Sequence, residues 1–199
     1  LLSGEWKFKF FNNVADVTAE YVAKDFDTAG CDDITVPRCW QTYPDRGYDE
    51  IQYANLEYPF SVDPPYTPDE NPCGIYFKDV VLDEIADKVY INFEGVSSCF
   101  YLYVNGQFCA YSQVSHCTSE VDITDKLVAG NNRITVMVVK WCDGSYLEDQ
   151  DYFRLSGISR DVYLLARPEN HIEDIKVDTC FNDDFSECGV TVDLEGKGK

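Results

Sequence analysis

Between Ile75 and Leu165 apolar residues recur at every second position, in short runs separated by turn residues. Val89, Ile91 and Phe93 alternate with Tyr90, Asn92 and Glu94, and Phe100, Leu102 and Val104 alternate with Tyr101 and Tyr103. Val121 and Ile123 alternate with Asp122 and Thr124, as Trp6, Phe8 and Phe10 alternate with Lys7 and Lys9 near the start. A period of two puts one set of side chains on one face of a strand. The runs are too short for helices. Asn105-Gly106 is the pair that a two-residue type I′ hairpin turn needs, since both residues there take positive φ. Arg133 to Lys140 is apolar at nearly every position, which predicts a strand covered on both faces. Ile34 to Val36 is a further short strand ended by Pro37, and residues 14–30 carry no capping pattern and read as irregular. Many short strands with turn signals and almost no helix predict an all-β chain, a jelly-roll β-sandwich of the galactose-binding-domain type.

Two stretches do not fit a plain sandwich. Residues 38–73 hold six of the eight prolines, which excludes a helix and any central strand. The same stretch carries Trp40, Tyr43, Tyr48, Tyr53, Tyr58, Phe60 and Tyr66, too many aromatics for a disordered linker. It reads as a long ordered excursion, its rings either packed on the sandwich or forming a stacking platform for sugar. The second stretch, Trp141 to Val162, lies between two apolar strands. It holds five carboxylates, two arginines, two glycines and four aromatics without a strand or helix period. Ordering so long a polar connection costs roughly 1–2 kcal/mol per residue, so such loops tend to be functional. Its carboxylates Asp143, Glu148, Asp149, Asp151 and Asp161 suit a hard cation or sugar hydroxyls. They equally suit ion pairing with Arg154 and Arg160, the commoner outcome for such clusters.

The formal net charge of −20 argues against nucleic acid and against anionic membrane surfaces, both of which need clustered Lys and Arg. No apolar run approaches the roughly 20 residues that span a bilayer. Leu1 to Trp6 has neither the basic region nor the apolar core of a leader, and it is the cysteine usage that leads to the expectation of a cytoplasmic protein. The nine cysteines include no Cys-x-x-Cys pair and read as reduced thiols, with Cys180 and Cys188, across a turn, as the pair placed to bridge. His116 and His171 lack the clustered partners of a zinc site.

The motifs taken together are recognisable. They include Val36-Pro37 with Trp40-Gln41, Tyr53-Ala54-Asn55-Leu56 leading to Tyr58-Pro59, and Pro64-Pro65 leading to Glu70-Asn71-Pro72 and Gly74. Phe93-Glu94-Gly95-Val96, Tyr111-Ser112-Gln113 and the run Asp143-Gly144-Ser145-Tyr146-Leu147-Glu148-Asp149-Gln150-Asp151, followed by Ser156-Gly157-Ile158 and Arg160-Asp161-Val162, complete the set. Through these the chain resembles the N-terminal part of the large bacterial β-galactosidases of glycoside hydrolase family two. The resemblance implies a jelly-roll sugar-binding domain over 1–167 and, over 168–199, the truncated start of an immunoglobulin-like domain. It implies a parent enzyme that hydrolyses terminal β-D-galactosides such as lactose with retention. The catalytic glutamates stand in a barrel outside this chain, so no catalytic residue is assigned here and the chain alone is expected to be inactive.

What the resemblance gives this chain is a wall of the active site. Asn55 stands where the family has an asparagine touching galactoside, and Leu56 where it has a smaller apolar residue. Asp151 stands where the family has an aspartate that helps hold sodium and meets the sugar hydroxyls. Sodium shared with the barrel and magnesium within it are implied for the parent, neither bound strongly by this chain alone. The remaining loop charges, Asp143, Glu148, Asp149, Arg154 and Arg160, are implied to be scaffold. The implied partners are substrate, the other domains of the same chain and further copies in a homo-oligomer. A non-catalytic carbohydrate-binding module, or a β-glucuronidase or β-mannosidase relative, is the alternative. Cys142 in the acidic loop and the bulk of Leu56 are departures from the family pattern.

Overall fold

The computed structural model describes residues 1–148 and 151–198. Its strands are β1 (Gly4–Phe11), β2 (Asp32–Val36), β3 (Gln52–Ala54), β4 (Cys73–Leu82) and β5 (Lys88–Phe93). Then follow β6 (Val96–Ser97), β7 (Cys99–Val104), β8 (Gln107–Gln113), β9 (Ser119–Asp122) and β10 (Gly130–Val139). The last five are β11 (Tyr152–Arg154), β12 (Gly157–Ile158), β13 (Val162–Arg167), β14 (His171–Phe181) and β15 (Cys188–Lys197). One sheet runs in the order β2-β1-β4-β10-β7-β8 and a second in the order β13-β5-β9, all antiparallel.

The two sheets close over one core, as the alternation requires. Trp6 and Phe8 of β1, Tyr76 of β4, Leu102 of β7 and Val136 of β10 meet Ile91 and Phe93 of β5 and Val162 of β13. Phe93 and Phe100 pack ring to ring across the sandwich at 4.7 Å. The β7–β8 hairpin turns on Asn105 (φ 51°) and Gly106 (φ 79°), the two positive φ values that a type I′ turn demands. Strand β10 pairs with β4 on one edge and β7 on the other, and it is covered on both faces. Its outer face is closed by residues 12–31, which form two 3-10 turns and whose Tyr21 and Phe26 rings continue a series from Phe11 of β1 to Phe77 of β4.

The proline-rich excursion and the acidic loop are not the strandless segments their patterns suggest. β3 lies in the first, β11 and β12 in the second, and β3 pairs with β11. Strands of two or three residues are too short to display a period of two, which is why the pattern hides them. Most of the excursion's aromatics pack rather than form a platform. Trp40 and Tyr48 are buried against Phe8 and Phe10, and Phe60 packs on Trp141 and Tyr146.

Backbone and side-chain hydrogen bonds seat the excursion. Trp40 N donates to Ser156 O and Arg38 N to Ile158 O, which lays the excursion's first turn along the Ser156-Gly157-Ile158 segment. Pro72 has no N–H to extend the β4–β10 ladder. Asn71 supplies the missing valences, its amide donating to Trp141 O and accepting from Trp141 N. Lys140, at the end of β10, is 2% exposed and its ammonium donates to Asp49 of the excursion at 2.6 Å. The Gln41 amide donates to the same carboxylate oxygen and accepts from Ser156 N, so one buried network fastens three separate segments.

The β14–β15 hairpin stands as its own two-stranded sheet. It exposes Ile175, Val177, Phe181, Val190, Val192 and Leu194. At its base Glu173 accepts from Arg167, His171 and Lys197. Its register also bears on Cys180 and Cys188, the one pair the sequence placed to bridge among cysteines otherwise read as reduced thiols. Cys180 is opposite Gly189 and Cys188 opposite Phe181, so the two thiols leave opposite faces of the ribbon.

Gly157 has φ +126°, and a Cβ there would lie 2.7 Å from the Tyr76 hydroxyl and 3.1 Å from the Arg38 carbonyl oxygen. Gly157→Ala is therefore expected to lose at least about 1 kcal/mol in a urea titration, through positive-φ strain and displaced packing. Lys140→Met should cost about 3 kcal/mol by the same measurement, because it leaves the Asp49 carboxylate in a largely buried site with only an amide donor. Adding Asp49→Asn should restore part of that loss; a strictly additive double variant would show that the pair is not coupled.

Candidate functional site

The site is built on the short ladder that joins the two irregular stretches. In the β3–β11 pairing Tyr152 is opposite Ala54, Phe153 opposite Tyr53 and Arg154 opposite Gln52. One step further along that register sets Asn55 against Asp151. The two residues expected to face sugar thus come from separate segments and arrive at the same open end of one ladder, both exposed.

Tyr53 joins them. Its hydroxyl donates to Asp151 Oδ1 at 2.5 Å, and Asn55 follows it by two residues. The bond to the Asp151 carboxylate holds the Tyr53 phenol above its ordinary value, with smaller contributions from burial and charge. Across the ladder the Tyr53 and Phe153 rings pack at 5.3 Å, and both rings are more than half exposed. Leu56 is 88% exposed and lies in a shallow depression of about 670 Å³ lined by residues 52–59. The arrangement offers a carboxylate, an amide and a phenol beside two open aromatic faces. Such a set can accept and donate hydrogen bonds to vicinal hydroxyls while a ring face lies against the C–H side of a sugar.

The acidic loop is held from behind by an ion pair. Glu148 accepts from Arg154 at 3.2 Å, from the Tyr152 hydroxyl at 2.9 Å and from the Ser115 hydroxyl. Arg154 is buried, and its guanidinium lies over the Tyr152 ring at 4.5 Å. Glu148 and Arg154 thus spend their charges on each other and on neighbouring loop groups. Asp143 opens the 3-10 turn Asp143–Tyr146 and is exposed. Arg160 donates to the His116 carbonyl, and Asp149 falls outside the described residues. Tyr146 ties the loop forward, accepting from Asp63 N, donating to Tyr66 O and offering its own carbonyl to the Tyr58 hydroxyl.

A larger groove of about 1190 Å³ adjoins the site and shares Gln52 and Pro59 with the depression. It contains the Asp49–Lys140 pair already used in fastening the excursion, which marks it as a seam between segments. Among the described residues no group of three His, Cys, Asp or Glu converges as a metal cage. A hard cation at Asp151 would have to complete its oxygen shell from elsewhere, though a carboxylate and an amide oxygen are the right donors for one.

Tyr53 and Phe153 were not singled out as site residues from the sequence. The available signal was their place in Gln52-Tyr53-Ala54 and Tyr152-Phe153-Arg154, two β-prone triplets each adjacent to an expected contact residue.

Comparison with known proteins gives the family and the fold. Residues 1–168 match the model of glycosyl hydrolases family 2, sugar binding domain. A β-galactosidase of Actinobacillus pleuropneumoniae is 45% identical over 193 residues, covering 97% of this chain and 18% of that protein. A β-galactosidase of Staphylococcus xylosus is 43% identical over 197 residues, covering 98% of this chain and 19% of that protein. The chain thus spans about a fifth of the length of these curated relatives. Among solved structures, a β-glucuronidase from Ruminococcus gnavus superposes with a TM-score of 0.73 at 17% identity, over 100% of this chain and 33% of that one. A β-glycosidase from Bacteroides vulgatus superposes with a TM-score of 0.70 at 20% identity, over 99% of this chain and 24% of that one. These two likenesses are of fold. The family match covers the whole sandwich and both segments that meet at the site, and the chain belongs to glycosyl hydrolases family 2, whose sugar binding domain it carries.

Proposed function

We propose that this domain walls the active site of a retaining β-galactosidase, contributing galactosyl contacts through Asn55 and Asp151 while the catalytic carboxylates stand elsewhere in the parent protein. The observation that carries the reading is the β3–β11 ladder, which brings Asn55, Tyr53 and Asp151 to one exposed edge. The curated relatives at 43–45% identity, named β-galactosidase, supply the substrate class.

The chemistry follows from the three side chains. The Asp151 carboxylate accepts hydrogen bonds from sugar hydroxyls, and charged acceptors are the stronger ones. The Tyr53 hydroxyl fixes that carboxylate before substrate arrives, which lowers the entropy lost on binding. Asn55 both donates and accepts, so it distinguishes one hydroxyl pattern from its epimer. Leu56 borders the depression on the aglycone side and narrows it relative to a smaller residue. A sodium ion shared between Asp151 and oxygens of the parent would add a fixed positive charge beside the same hydroxyls. Hydrolysis itself needs one carboxylic acid to protonate the leaving oxygen and a carboxylate nucleophile. In this reading neither comes from residues 1–199, and magnesium belongs with them.

The same reading takes residues 168–199 as the first strands of an immunoglobulin-like domain. The apolar side chains exposed along β14 and β15 support it, since they would be covered by the rest of that sandwich. It also places the enzyme in the cytoplasm as a homo-oligomer. The odd cysteine count and the three buried thiols, which behave as small hydrophobes, support a reducing compartment. Among the described residues no helix is long and apolar enough to cross a membrane.

The full-length protein is expected to hydrolyse a chromogenic β-galactoside, and residues 1–199 alone are expected to give no turnover. Asp151→Asn should lower kcat/KM about tenfold to hundredfold, the worth of one or two charge-assisted hydrogen bonds, and should blunt stimulation by added sodium. Tyr53→Phe should act in the same direction but more weakly. Preferential turnover of a β-glucuronide or β-mannoside would overturn the galactoside assignment, and turnover by residues 1–199 alone would overturn the division of labour.

A further inference from the structure

The excursion and the acidic loop are joined a second time beyond the β3–β11 ladder, and one residue makes the join. Tyr146 closes the 3-10 turn Asp143–Tyr146, five residues before Asp151. Its hydroxyl accepts from Asp63 N at 3.2 Å and donates to Tyr66 O at 2.7 Å, with the Ser61 carbonyl the farther acceptor at 3.3 Å. Tyr66 N donates to Asp63 O at 2.9 Å, so Asp63 to Tyr66 is a closed turn. Its central residues, Pro64 and Pro65, bring no N–H. The N–H that enters this turn and the carbonyl that leaves it therefore both end on one phenol.

The other contacts of Tyr146 act on the same segment. Its carbonyl accepts from the Tyr58 hydroxyl at 2.7 Å, and its ring packs on Tyr58 at 5.6 Å and on Phe60 at 5.3 Å. Tyr146 thus holds the excursion at Tyr58, at Phe60 and at the turn. On the near side, Ala54 is fixed in the ladder opposite Tyr152. Only three residues lie between Ala54 and Tyr58, namely Asn55, Leu56 and Glu57, and all are exposed. So short a bridge keeps little backbone freedom once both ends are fixed, and the place of Asn55 then depends on where Tyr58 is held.

We propose that Tyr146 is a positioning residue for sugar binding, whose hydroxyl and carbonyl fix the far end of the Asn55–Glu57 bridge and so hold Asn55 beside Asp151. This rests on the reading of Asn55 and Asp151 as galactosyl contacts. Tyr146 acts through Asn55 and touches no sugar itself. What it supplies is preorganisation, because an amide already in place loses less entropy when a hydroxyl arrives. Asp151 is seated separately. Glu148, gathered from behind by Arg154, Tyr152 and Ser115, anchors the acidic loop with or without the Tyr146 hydroxyl. Removing that hydroxyl releases the excursion side alone.

The test is made on the full-length protein, reading kcat/KM on a chromogenic β-galactoside. The variants are Tyr146→Phe, Tyr58→Phe, Asn55→Ala and Asp151→Asn, with each tyrosine variant also combined with Asn55→Ala. Tyr146→Phe keeps the ring packing and removes the hydroxyl's bonds. It is expected to lower kcat/KM about fivefold, the worth of one or two such bonds. In the Asn55→Ala background it is expected to change kcat/KM by less than about twofold, since the residue it positions is gone. Tyr58→Phe cuts the bond to the Tyr146 carbonyl, leaves the turn intact and is expected to follow the same non-additive pattern. A residue serving only the stability of the fold would lower activity by the same factor in both backgrounds, and that result overturns the proposal. Full activity of both tyrosine variants overturns it as well. If Asn55→Ala and Asp151→Asn themselves keep full activity, the galactosyl-contact reading falls and the positioning role falls with it. If those two lose activity while the tyrosine variants do not, or do so additively, the positioning role alone falls. The two tyrosine variants break the join at different atoms, so the outcome does not depend on one of them folding.

Discussion

Burial of β10 on both faces is the constraint on which the rest of the domain depends. A strand with apolar residues at nearly every position needs a cover on each side, and the second sheet supplies only one. The other comes from residues 12–31 and from the chain beyond Val139, which returns across the sheet as the acidic loop. The irregular segments therefore do structural work before they do chemical work. Their positions are set by the sheet beneath them, and the ladder between β3 and β11 is placed by that seating.

Long irregular segments hold a fixed shape only if their polar groups find partners, since each residue fixed costs chain entropy and each buried orphan costs more. Here the partners converge on few points. Asn71 completes a ladder that Pro72 cannot, Gln41 bridges Asp49 and Ser156, and Glu148 gathers Arg154, Tyr152 and Ser115. Glu148 and Arg154 are spent in this way. Asp151 differs in standing exposed at the ladder's end with a tyrosine hydroxyl on one oxygen. Glu148 and Asp151 are thus separated by position, although they are close in sequence and chemically alike.

That separation explains what could be read from the sequence. The sandwich strands were legible, because six or more residues of alternation declare a face, and Asn105-Gly106 declared its turn. The strands β3, β11 and β12 were not, being shorter than the repeat that would reveal them. The acidic loop's composition fitted a cation site and an ion-pair network equally. Only the motif resemblance separated Asp151 from Glu148, and only the register showed that Asn55 and Asp151 share an edge. Tyr53 was hidden among seven aromatics of one excursion, most of which pack. Cys180 and Cys188 looked bridgeable from spacing, whereas the ribbon's pleat sends them apart.

The Tyr53–Asp151 hydrogen bond joins residues 98 apart in sequence through a ladder of three residue pairs. So short a ladder has too little of its own stability to form before the chain between its ends is compact, and closing that loop unaided costs entropy with little return. The β3–β11 edge is consequently a late product of folding. It appears only after β4, β10 and β7 have zipped and drawn the two segments together. A substitution that slows or loosens the central sheet will register first as a loss of this edge, while the bulk of the sandwich still looks intact.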